Sequence, residues 1–357
     1  MVKKQSVNLK SFYKGKKVLI TGHTGFKGAW LALILTMWGA KVSGYALKPP
    51  TKPSLYKALK LDKKMNSRIS DIRNYKKFYR FAKKVKPDLI FHLAAQPLVR
   101  DSYDMPLYTF ETNVIGTANV LETIRNLQIR AAVIVTTDKV YENIEDPKKL
   151  YREGDKLCGH DPYSNSKSCA DLATDSYIKS FFDLKSGPFV ATARSGNVIG
   201  GGDWAKDRLV PDMARAFWQE KKPVVIRSPH SMRPWQHVFE PLSGYLLLGK
   251  ELFEGNKKAV GAWNFAPEPK DMAEVLDLVK LFISSAKRGE FKINPDKAKH
   301  EAKNLKLSNL KSKRILGWKT KLDFRASVDK TAKWYQAFYQ KEDILELSEK
   351  QIKQYFR

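Results

Sequence analysis

Short apolar runs alternate with segments of helical periodicity through the first half of the chain, and this alternation constrains the fold more than any other feature. The apolar runs predict buried strands at residues 17–21, 41–46, 88–93, 131–137 and 189–194. Apolar residues at helical spacing predict helices at residues 25–38, 75–85, 105–127 and 162–182. Strands that alternate with helices of this length form a parallel sheet covered on both faces. The sequence therefore predicts an α/β fold with a doubly wound parallel sheet.

The alternation ends after residue 195, and the rest of the chain predicts a smaller lobe that is mostly helical. Helices are predicted at residues 207–218, 242–253, 271–285, 309–316 and 325–339. Two short strands are predicted at residues 224–227 and 263–265. A length of 357 residues is sufficient for one large domain together with such a lobe.

The chain is strongly basic, with 65 Lys and Arg against 37 Asp and Glu and a formal net charge of +28. A charge of this sign is typical of nucleic-acid-binding proteins, and it equally suits an enzyme whose substrate and cofactor are both phosphorylated. Lysines occur along the whole chain without an arginine-rich block, so composition does not decide between the two. The motifs described below favour the enzyme, with no nucleic-acid partner.

Composition excludes several other classes of protein. A hydrophobic share of 43% and an aromatic share of 11% exclude a disordered chain. The longest apolar stretch, residues 29–38, is too short to span a bilayer, and residues 1–17 contain no apolar run of signal-peptide length. Cys158 and Cys169 form neither a disulfide framework nor a C-x-x-C pair, so no metal site is predicted. We therefore expect a cytoplasmic protein without a membrane partner.

A glycine-rich turn follows the first predicted strand and leads into a helix. Its glycines are spaced Gly22-x-x-Gly25-x-x-Gly28, which permits a tight turn, a close backbone approach to a pyrophosphate and close packing of the helix. The spacing differs from the G-x-G-x-x-G fingerprint of dinucleotide sites, and a plain structural turn is the alternative. The cofactor-binding residues predicted in this turn are Gly22, Thr24, Gly25, Phe26 and Lys27.

The ends of the following strands complete the predicted cofactor site. The second strand ends at residues 45–48 without the carboxylate that would bind the ribose of NAD, so NAD and NADP both stay open there. Asp71 and Ile72, after the third strand, are predicted to contact the adenine. The remaining predicted cofactor-binding residues are Leu93, Ala94, Ala95 and Thr112.

Two clusters of polar residues predict catalytic chemistry. Tyr163 and Lys167 stand four apart on a predicted helix, so their side chains share one face. A nearby ammonium and a positive nicotinamide ring would favour the Tyr163 phenolate, making it a base for a sugar hydroxyl. Thr137, Asp138 and Lys139 follow the fifth strand, at the sheet edge where α/β sites form. There they would act as hydrogen-bonding group, acid and base, although an exposed polar turn is the alternative.

Together these motifs resemble the extended short-chain dehydrogenases/reductases that act on nucleotide sugars. The resemblance covers nearly the whole chain and includes the glycine turn, Tyr163-x-x-x-Lys167, Leu93-Ala94-Ala95-Gln96, Thr112-Asn113-Val114-x-Gly116-Thr117, Thr137-Asp138-x-Val140-Tyr141 and Arg194-x-x-Asn197-Val198-x-Gly200. The Thr-Asp pair before Val-Tyr is typical of the sugar-nucleotide 4,6-dehydratases of this family. Further segments resemble most closely the branch that acts on CDP-glucose, namely Lys139, residues 200–204 and residues 233–238.

The resemblance implies a domain organisation and an activity. It implies an NAD-binding Rossmann domain at residues 1–195 with a returning segment near 236–262, and a nucleotide-sugar lobe at residues 196–235 and 263–357. The implied reaction converts CDP-glucose into CDP-4-keto-6-deoxyglucose, and NAD is not consumed. By the same resemblance Asp138 is the acid. Lys139 is either the base that removes the C5 hydrogen or a cation that stabilises the enolate.

The predicted substrate and subunit contacts lie on both lobes. The predicted substrate-binding residues are Gln96, Asn197, Arg208, Leu209, Arg233 and His237. Arg233 is the candidate for the diphosphate, because a guanidinium fork matches phosphate oxygens. The resemblance also implies a homodimer in which helices 106–127 and 162–182 form a four-helix bundle, and a role in the synthesis of surface polysaccharide.

Two other functions stay open on sequence alone. One is an epimerase, or a dehydratase that acts on another nucleotide sugar. The other is a non-catalytic regulatory or nucleic-acid-binding protein on a Rossmann scaffold, which predicts salt-sensitive binding to DNA or RNA. The complete set of Thr137, Tyr163 and Lys167 argues against the second, because a non-catalytic protein has no need to keep all three.

Overall fold

A parallel sheet lies at the centre of the computed structural model, which describes residues 8–294 and 305–357. In chain order the strands of these residues are β1 (Lys17–Thr21), β2 (Lys41–Ala46), β3 (Asn66–Ile69), β4 (Leu89–His92), β5 (Ala131–Val135), β6 (Phe189–Arg194), β7 (Val198–Ile199), β8 (Val224–Ile226), β9 (Met232–Arg233), β10 (Gln236–His237), β11 (Gly261–Asn264), β12 (Ala273–Glu274) and β13 (Phe291–Ile293). Seven of them form the central sheet, in the order β11-β6-β5-β4-β1-β2-β3.

Each neighbouring pair in the central sheet is parallel, so the predicted doubly wound sheet is confirmed. The chain starts at β1, moves outward to β2 and β3, and then returns to β4 on the other side of β1. The strand order therefore reverses between β1 and β4. A crevice at the carboxyl ends of the strands forms at such a reversal, and it is where ligands of open α/β sheets bind.

Helices cover both faces of the sheet. Within the described residues they are α1 (Leu9–Tyr13), α2 (Phe26–Met37), α3 (Leu55–Ala58), α4 (Tyr75–Val85), α5 (Val99–Asp104), α6 (Pro106–Phe110), α7 (Gly116–Leu127), α8 (Pro162–Phe181), α9 (Leu209–Ala214), α10 (Phe239–Phe253), α11 (Val275–Ala286), α12 (Phe324–Tyr339) and α13 (Ile344–Tyr355). The helix predicted at residues 105–127 consists of α6, a π-helical turn at Glu111–Ile115 and α7. π-Helical turns are rare and occur frequently at functional sites.

The alternation of side chains along a strand explains why both faces need a cover. Val18 and Ile20 of β1 belong to one hydrophobic core together with Trp30 of α2. Leu19, between them, belongs to a second core together with Phe78 of α4. Successive residues of a strand point to opposite faces, so a strand that is apolar at every position requires helices on both sides.

The C-terminal helices are joined to the sheet domain through a buried carboxylate. Glu240 of α10 accepts hydrogen bonds from the backbone N–H groups of Lys321 and Leu322, the shortest at 2.8 Å. The hydroxyl of Tyr355, in α13, donates to the same carboxylate at 2.8 Å. Burial raises the pKa of Glu240 to about 7. Glu240 therefore connects two late segments of the chain to a helix that packs on β5 and β6.

Two elements near the predicted returning segment contact the central sheet. α10 packs against the sheet, and β11 pairs with β6 as the edge strand. The predicted limit between residues 262 and 263 falls within β11, so the pairing extends past it to Asn264. The predicted domains also include residues 1–7 and 295–304, which lie outside the described residues. The domain limits thus stay a prediction.

Among the described residues, three small two-stranded sheets lie outside the central one, and the sequence does not predict most of their strands. β7 pairs with β10, β8 with β13, and β9 with β12. The first pairing sets Val198 against Gln236, so that the segment after β6 runs beside the segment before α10. In the part of the chain that the structure describes, no helix has both the length and the apolar character needed to cross a membrane.

Candidate active site

The glycine turn brings β1 against the end of β4. Gly22 has a φ of 76°, in the left-handed region that favours glycine. A Cβ atom on Gly22 would lie 2.7 Å from the backbone nitrogen of Ala94. A Cβ atom on Gly28 would lie 2.2 Å from the carbonyl oxygen of Gly22. A side chain at either position would therefore push β4 or α2 away from the turn, and the close packing predicted from the glycine spacing is present.

The start of α2 and a buried hydroxyl fit the predicted dinucleotide. α2 begins at Phe26 after Gly25, and no side chain caps it, so its first N–H groups have no side-chain partner. An anion is bound favourably at such a helix start. The buried hydroxyl of Thr112, in the π-helical turn, has no hydrogen-bond partner among the described residues. Thr24 has a supporting role, since its hydroxyl donates to the Leu47 carbonyl at 2.9 Å.

The segment after β3 forms the predicted adenine side of the site. The Asp71 carboxylate accepts a hydrogen bond of 2.7 Å from the Arg73 guanidinium. Arg73 also forms an ion pair with Glu111 at 2.6 Å. Ile72 is buried, and the Tyr45 hydroxyl donates to the Asp71 carbonyl at 3.2 Å. Sequence reasoning missed Arg73, although its spacing of two from Asp71 was a usable sign of a local ion pair. Arg73 therefore holds the Asp71 side chain in place without a ligand.

A histidine lies beside β2, whose end commonly carries the carboxylate that binds the ribose of NAD. His23 is buried over Gly44, at which a Cβ atom would lie 2.4 Å from the histidine ring. Its Nε2 is hydrogen-bonded to the Ser67 hydroxyl at 2.7 Å. Burial lowers the pKa of His23 to about 4, so the ring is neutral at physiological pH. Lys48, the residue considered for a 2′-phosphate, is exposed.

Tyr163 and Lys167 are buried on one face of α8, as their spacing predicts. The helix begins after Asp161, whose carboxylate caps it by accepting the Ser164 N–H at 3.0 Å. The Lys167 ammonium donates to the carbonyl of Val135 at 3.1 Å, which ties α8 to the end of β5. Burial lowers the pKa of Lys167 to about 8.

The surroundings of Tyr163 do not by themselves favour its phenolate. Burial raises the pKa of Tyr163 to about 12, and a hydrogen bond with Thr137 only partly opposes the rise. Without a ligand, burial has a larger effect on this pKa than any neighbouring charge, so the protein residues alone leave Tyr163 in its neutral form. A positive charge contributed by a ligand remains the means of lowering this pKa.

Asp138 and Lys139 lie in a short 3₁₀ turn after β5, and the two differ in exposure. The Thr137 hydroxyl donates to Asp138 Oδ1 at 2.9 Å and caps the turn by accepting the Lys139 N–H at 3.4 Å. Asp138 is 3% exposed and packs on Gly196, where a Cβ atom would lie 1.7 Å from Oδ2. Lys139 is exposed. The structure thus brings Thr137 and Asp138 to Tyr163, and the role of Lys139 stays a prediction.

Arg208, a predicted substrate-binding residue, lies close enough to Tyr163 for its charge to act on the tyrosine hydroxyl. Its guanidinium pairs with Asp203 at 2.9 Å, and its charge lowers the pKa of Tyr163, against the larger effect of burial. Leu209 follows as the first residue of α9 and is partly buried. Asn197 lies between β6 and β7 with a φ of 49°, so it turns the chain in the left-handed region.

Of the other predicted substrate-binding residues, two are buried and one is half-buried. The Gln96 side chain is buried and donates to the Thr109 hydroxyl at 2.9 Å. His237 is buried, and burial lowers its pKa to about 3. Arg233 is half-buried in β9 and donates to the Met232 carbonyl at 3.0 Å. Substrate binding by these three residues stays a prediction.

A buried ion pair supports the catalytic helix, and sequence reasoning missed one of its members. Asp171 of α8, one turn beyond Lys167, pairs with Arg194 at 2.8 Å. The hydroxyls of Thr136 and Thr192 donate to the same carboxylate at 2.9 and 2.8 Å. The spacing of four between Lys167 and Asp171 was the available sign. A buried pair with this many hydrogen bonds fixes α8 against β5 and β6.

The fold and these residues define a class of protein. The model of the GDP-mannose 4,6 dehydratase family matches residues 19–331, and the chain therefore belongs to that family. The chain is 44% identical to the CDP-glucose 4,6-dehydratase of Salmonella typhimurium over 352 residues, which are 97% of this chain and 98% of that protein. It is 25% identical to the dTDP-D-glucose 4,6-dehydratase of Homo sapiens over 340 residues, 90% of each chain.

Solved structures of related enzymes have the same fold. A dTDP-glucose 4,6-dehydratase from Bacillus anthracis in complex with NAD superposes with a TM-score of 0.76 at 21% identity, covering 93% of this chain and 100% of that one. A UDP-glucose 4-epimerase from Thermus thermophilus in complex with NAD superposes with a TM-score of 0.77 at 21% identity, covering 90% and 99%. The predicted α/β fold is confirmed by these similarities.

Proposed function

We propose that this protein is a 4,6-dehydratase that converts CDP-glucose into CDP-4-keto-6-deoxyglucose and water, with NAD as its cofactor. The observation that carries the proposal is the joint burial of Tyr163, Lys167 and Asp138 at the carboxyl end of β5. Oxidation of an alcohol needs only a base and a hydride acceptor, whereas loss of water also needs an acid for the departing hydroxyl. Similarity to the CDP-glucose 4,6-dehydratase of Salmonella typhimurium supports the nucleotide and the sugar.

The cofactor is held by the glycine turn. The uncapped start of α2 would bind the diphosphate, and the unpaired Thr112 hydroxyl would supply a further hydrogen bond. A bound NAD would supply the hydride acceptor for C4 of the sugar and the hydride donor for C6, so that no net oxidation would occur. The solved relatives in complex with NAD support this choice of cofactor.

The first half of the reaction uses α8. Tyr163 removes the proton from the C4 hydroxyl, and Thr137, which is hydrogen-bonded to it, orients the same oxygen. Lys167 is held by the Val135 carbonyl, and its positive charge stabilises the phenolate that forms. The burial of this group excludes water, so the charges act in a medium of low dielectric.

The second half uses the turn after β5. The C4 ketone makes the C5 hydrogen acidic, and its removal expels the C6 hydroxyl. Asp138 donates the proton with which that hydroxyl leaves as water. Lys139 is either the base that accepts the C5 proton or a cation beside the enolate, in which case water at this exposed turn accepts that proton.

The substrate nucleotide lies toward the C-terminal lobe in this proposal. Arg208 and Arg233 are the cations proposed for the diphosphate, because guanidinium groups bind phosphate oxygens in pairs of hydrogen bonds. Asn197 is proposed to contact the same group from the loop after β6. Gln96, Leu209 and His237 complete the proposed set.

Incubation with the glucose derivatives of CDP, dTDP, UDP and GDP tests the proposal, with the 4-keto-6-deoxy product followed by mass spectrometry. We expect product and one released water from CDP-glucose, without net consumption of NAD. Product from another nucleotide but none from CDP-glucose would contradict the choice of substrate. Inversion at C4 without loss of water would identify an epimerase instead.

The proposal includes a homodimer and the cytoplasm as its compartment, where it would serve the synthesis of surface polysaccharide. Large apolar side chains are exposed along the helices that were predicted to pair, including Leu107, Ile115, Leu172 and Phe181. A four-helix bundle of two subunits would bury them. Light scattering of the Leu107→Glu, Leu172→Glu variant should give the mass of one chain, whereas the wild-type protein should give that of two.

A further inference from the structure

Lys27 brings an amine from the glycine turn to the catalytic residues. It is the second residue of α2, so its backbone belongs to the turn that would bind the dinucleotide. Its Nζ donates a hydrogen bond to the Ser195 hydroxyl at 3.0 Å. Ser195 is buried directly after β6. Lys27 therefore connects the element that follows β1 with the loop that follows β6.

The loop that Lys27 contacts is fixed against the catalytic carboxylate. The Ser195 hydroxyl shares a hydrogen bond of 2.5 Å with the hydroxyl of Tyr245, whose buried ring lies 5.9 Å from the Lys27 Nζ. The next residue, Gly196, packs so closely on Asp138 that no Cβ atom would fit between them. The amine, the loop and the carboxylate are thus one packed unit.

Charges of both signs act on the Lys27 amine. Asp138 and Asp203 favour its ammonium form, whereas Arg208 and Lys167 oppose it. Burial has a larger effect than any of these charges and lowers the pKa of Lys27 to about 7. Near neutral pH the amine is therefore only partly protonated, and a new negative charge nearby would raise its pKa and draw in a proton.

We propose that Lys27 is a positioning residue for the elimination, which couples an anion at the glycine turn to the Asp138 carboxylate. The diphosphate of a dinucleotide favours the ammonium form, and that form holds the Ser195 loop against Asp138. The ammonium also stabilises the carboxylate that Asp138 becomes once it has donated its proton. The elimination step in this inference rests on the proposed function, whereas the coupling between the anion and Lys27 does not.

Calorimetry of ADP-ribose binding tests the coupling without turnover. ADP-ribose carries the diphosphate but no nicotinamide, and binding enthalpies in buffers of different ionisation enthalpy give the number of protons taken up. Near neutral pH we expect the wild-type protein to take up part of a proton and the Lys27→Met and Lys27→Arg variants to take up none. Lys84→Met, which removes an exposed lysine of α4, should match the wild type. Equal uptake by Lys27→Met and wild type would overturn the proposal.

Kinetics with CDP-glucose tests the positioning role. In Lys27→Met we expect elimination to slow by roughly ten- to a hundredfold relative to C4 oxidation, so that the absorbance of reduced nicotinamide accumulates. Ser195→Ala, which keeps the amine but removes its anchor, should change the same ratio less. Equal slowing of both steps would contradict the role in elimination. A wild-type protein that does not convert CDP-glucose would refute the proposed function, while the calorimetry would still decide the coupling.

Discussion

The two elements that carry the proposed catalytic side chains differ in length and in the exposure of those side chains. α8 is a long helix whose Lys167 is bonded to β5 and whose Asp171 forms a buried ion pair. The turn Asp138–Val140 is a single 3₁₀ turn that sets a buried Asp138 beside an exposed Lys139. In the proposed reaction, oxidation would use the long helix and elimination would use the short turn. We therefore expect the two half-reactions to be separable by substitution.

Tyr163→Phe should have the largest effect. It removes the group that takes the C4 proton, so turnover of CDP-glucose should fall by about 10²–10⁴-fold, the usual contribution of a general base. Binding of ADP-ribose should be unchanged, because the ring that fills the site remains. Activity within about tenfold of the wild type would break the assignment of oxidation to α8.

Asp138→Asn should have the next largest effect and should act on the second half-reaction. Asparagine keeps the shape of the side chain and still accepts the Thr137 hydroxyl, but it supplies no proton. Turnover should fall by about 10²-fold, while rapid mixing should still show C4 oxidation as reduced nicotinamide. If oxidation falls in parallel with turnover, the two elements do not act separately.

Lys167 should give the protein a characteristic dependence of stability on pH. Burial lowers its pKa to about 8 in the folded protein, from an ordinary value of 10.5. Between these values the unfolded chain binds more protons, so this group makes the free energy of unfolding rise with pH. In urea unfolding at pH values across this window, the wild type should gain about 1–3 kcal/mol relative to Lys167→Met. Lys179→Met, at an exposed position of the same helix, should keep the wild-type slope.

Lys139→Gln should have the smallest effect. An exposed charge contributes about 1 kcal/mol or less, so turnover should fall by less than about tenfold and the stability should hardly change. Exchange of the C5 hydrogen with deuterium from the solvent should persist, as it should in Lys148→Gln, which changes another exposed lysine. Loss of this exchange with C4 oxidation retained would instead identify Lys139 as the base.

The sheet and the catalytic helix could be predicted because their signals are local. The bounds of β1, β2 and β6 match the predicted strands, and β1 and β6 are mainly apolar runs that end in a polar residue. Tyr163 and Lys167 share a face because four residues make about one helical turn. The close backbone contacts at Gly22 and Gly28 could be predicted because only glycine, which has no side chain, fits at these positions.

Other features depend on contacts between distant parts of the chain and left no comparable signal. β7, β9 and β10 have two residues each, too few for any periodicity. The helix α13 was not predicted. The contact between Lys27 and Ser195 joins a helix and a loop that only the folded sheet brings together. The burial of Tyr163, which reverses its expected pKa shift, is likewise a property of the packing.

The buried carboxylate of Glu240 has a consequence for how the protein is made. Ribosomal synthesis delivers α10 well before the backbone groups of Lys321 and Leu322 and the hydroxyl of Tyr355 emerge. An ionised carboxylate without these partners remains in water, because burying it unpaired costs several kcal/mol. The contact between α10 and the last segments of the chain therefore forms completely only after translation has passed Tyr355. In a nascent chain halted earlier, the Glu240 carboxylate would stay hydrated.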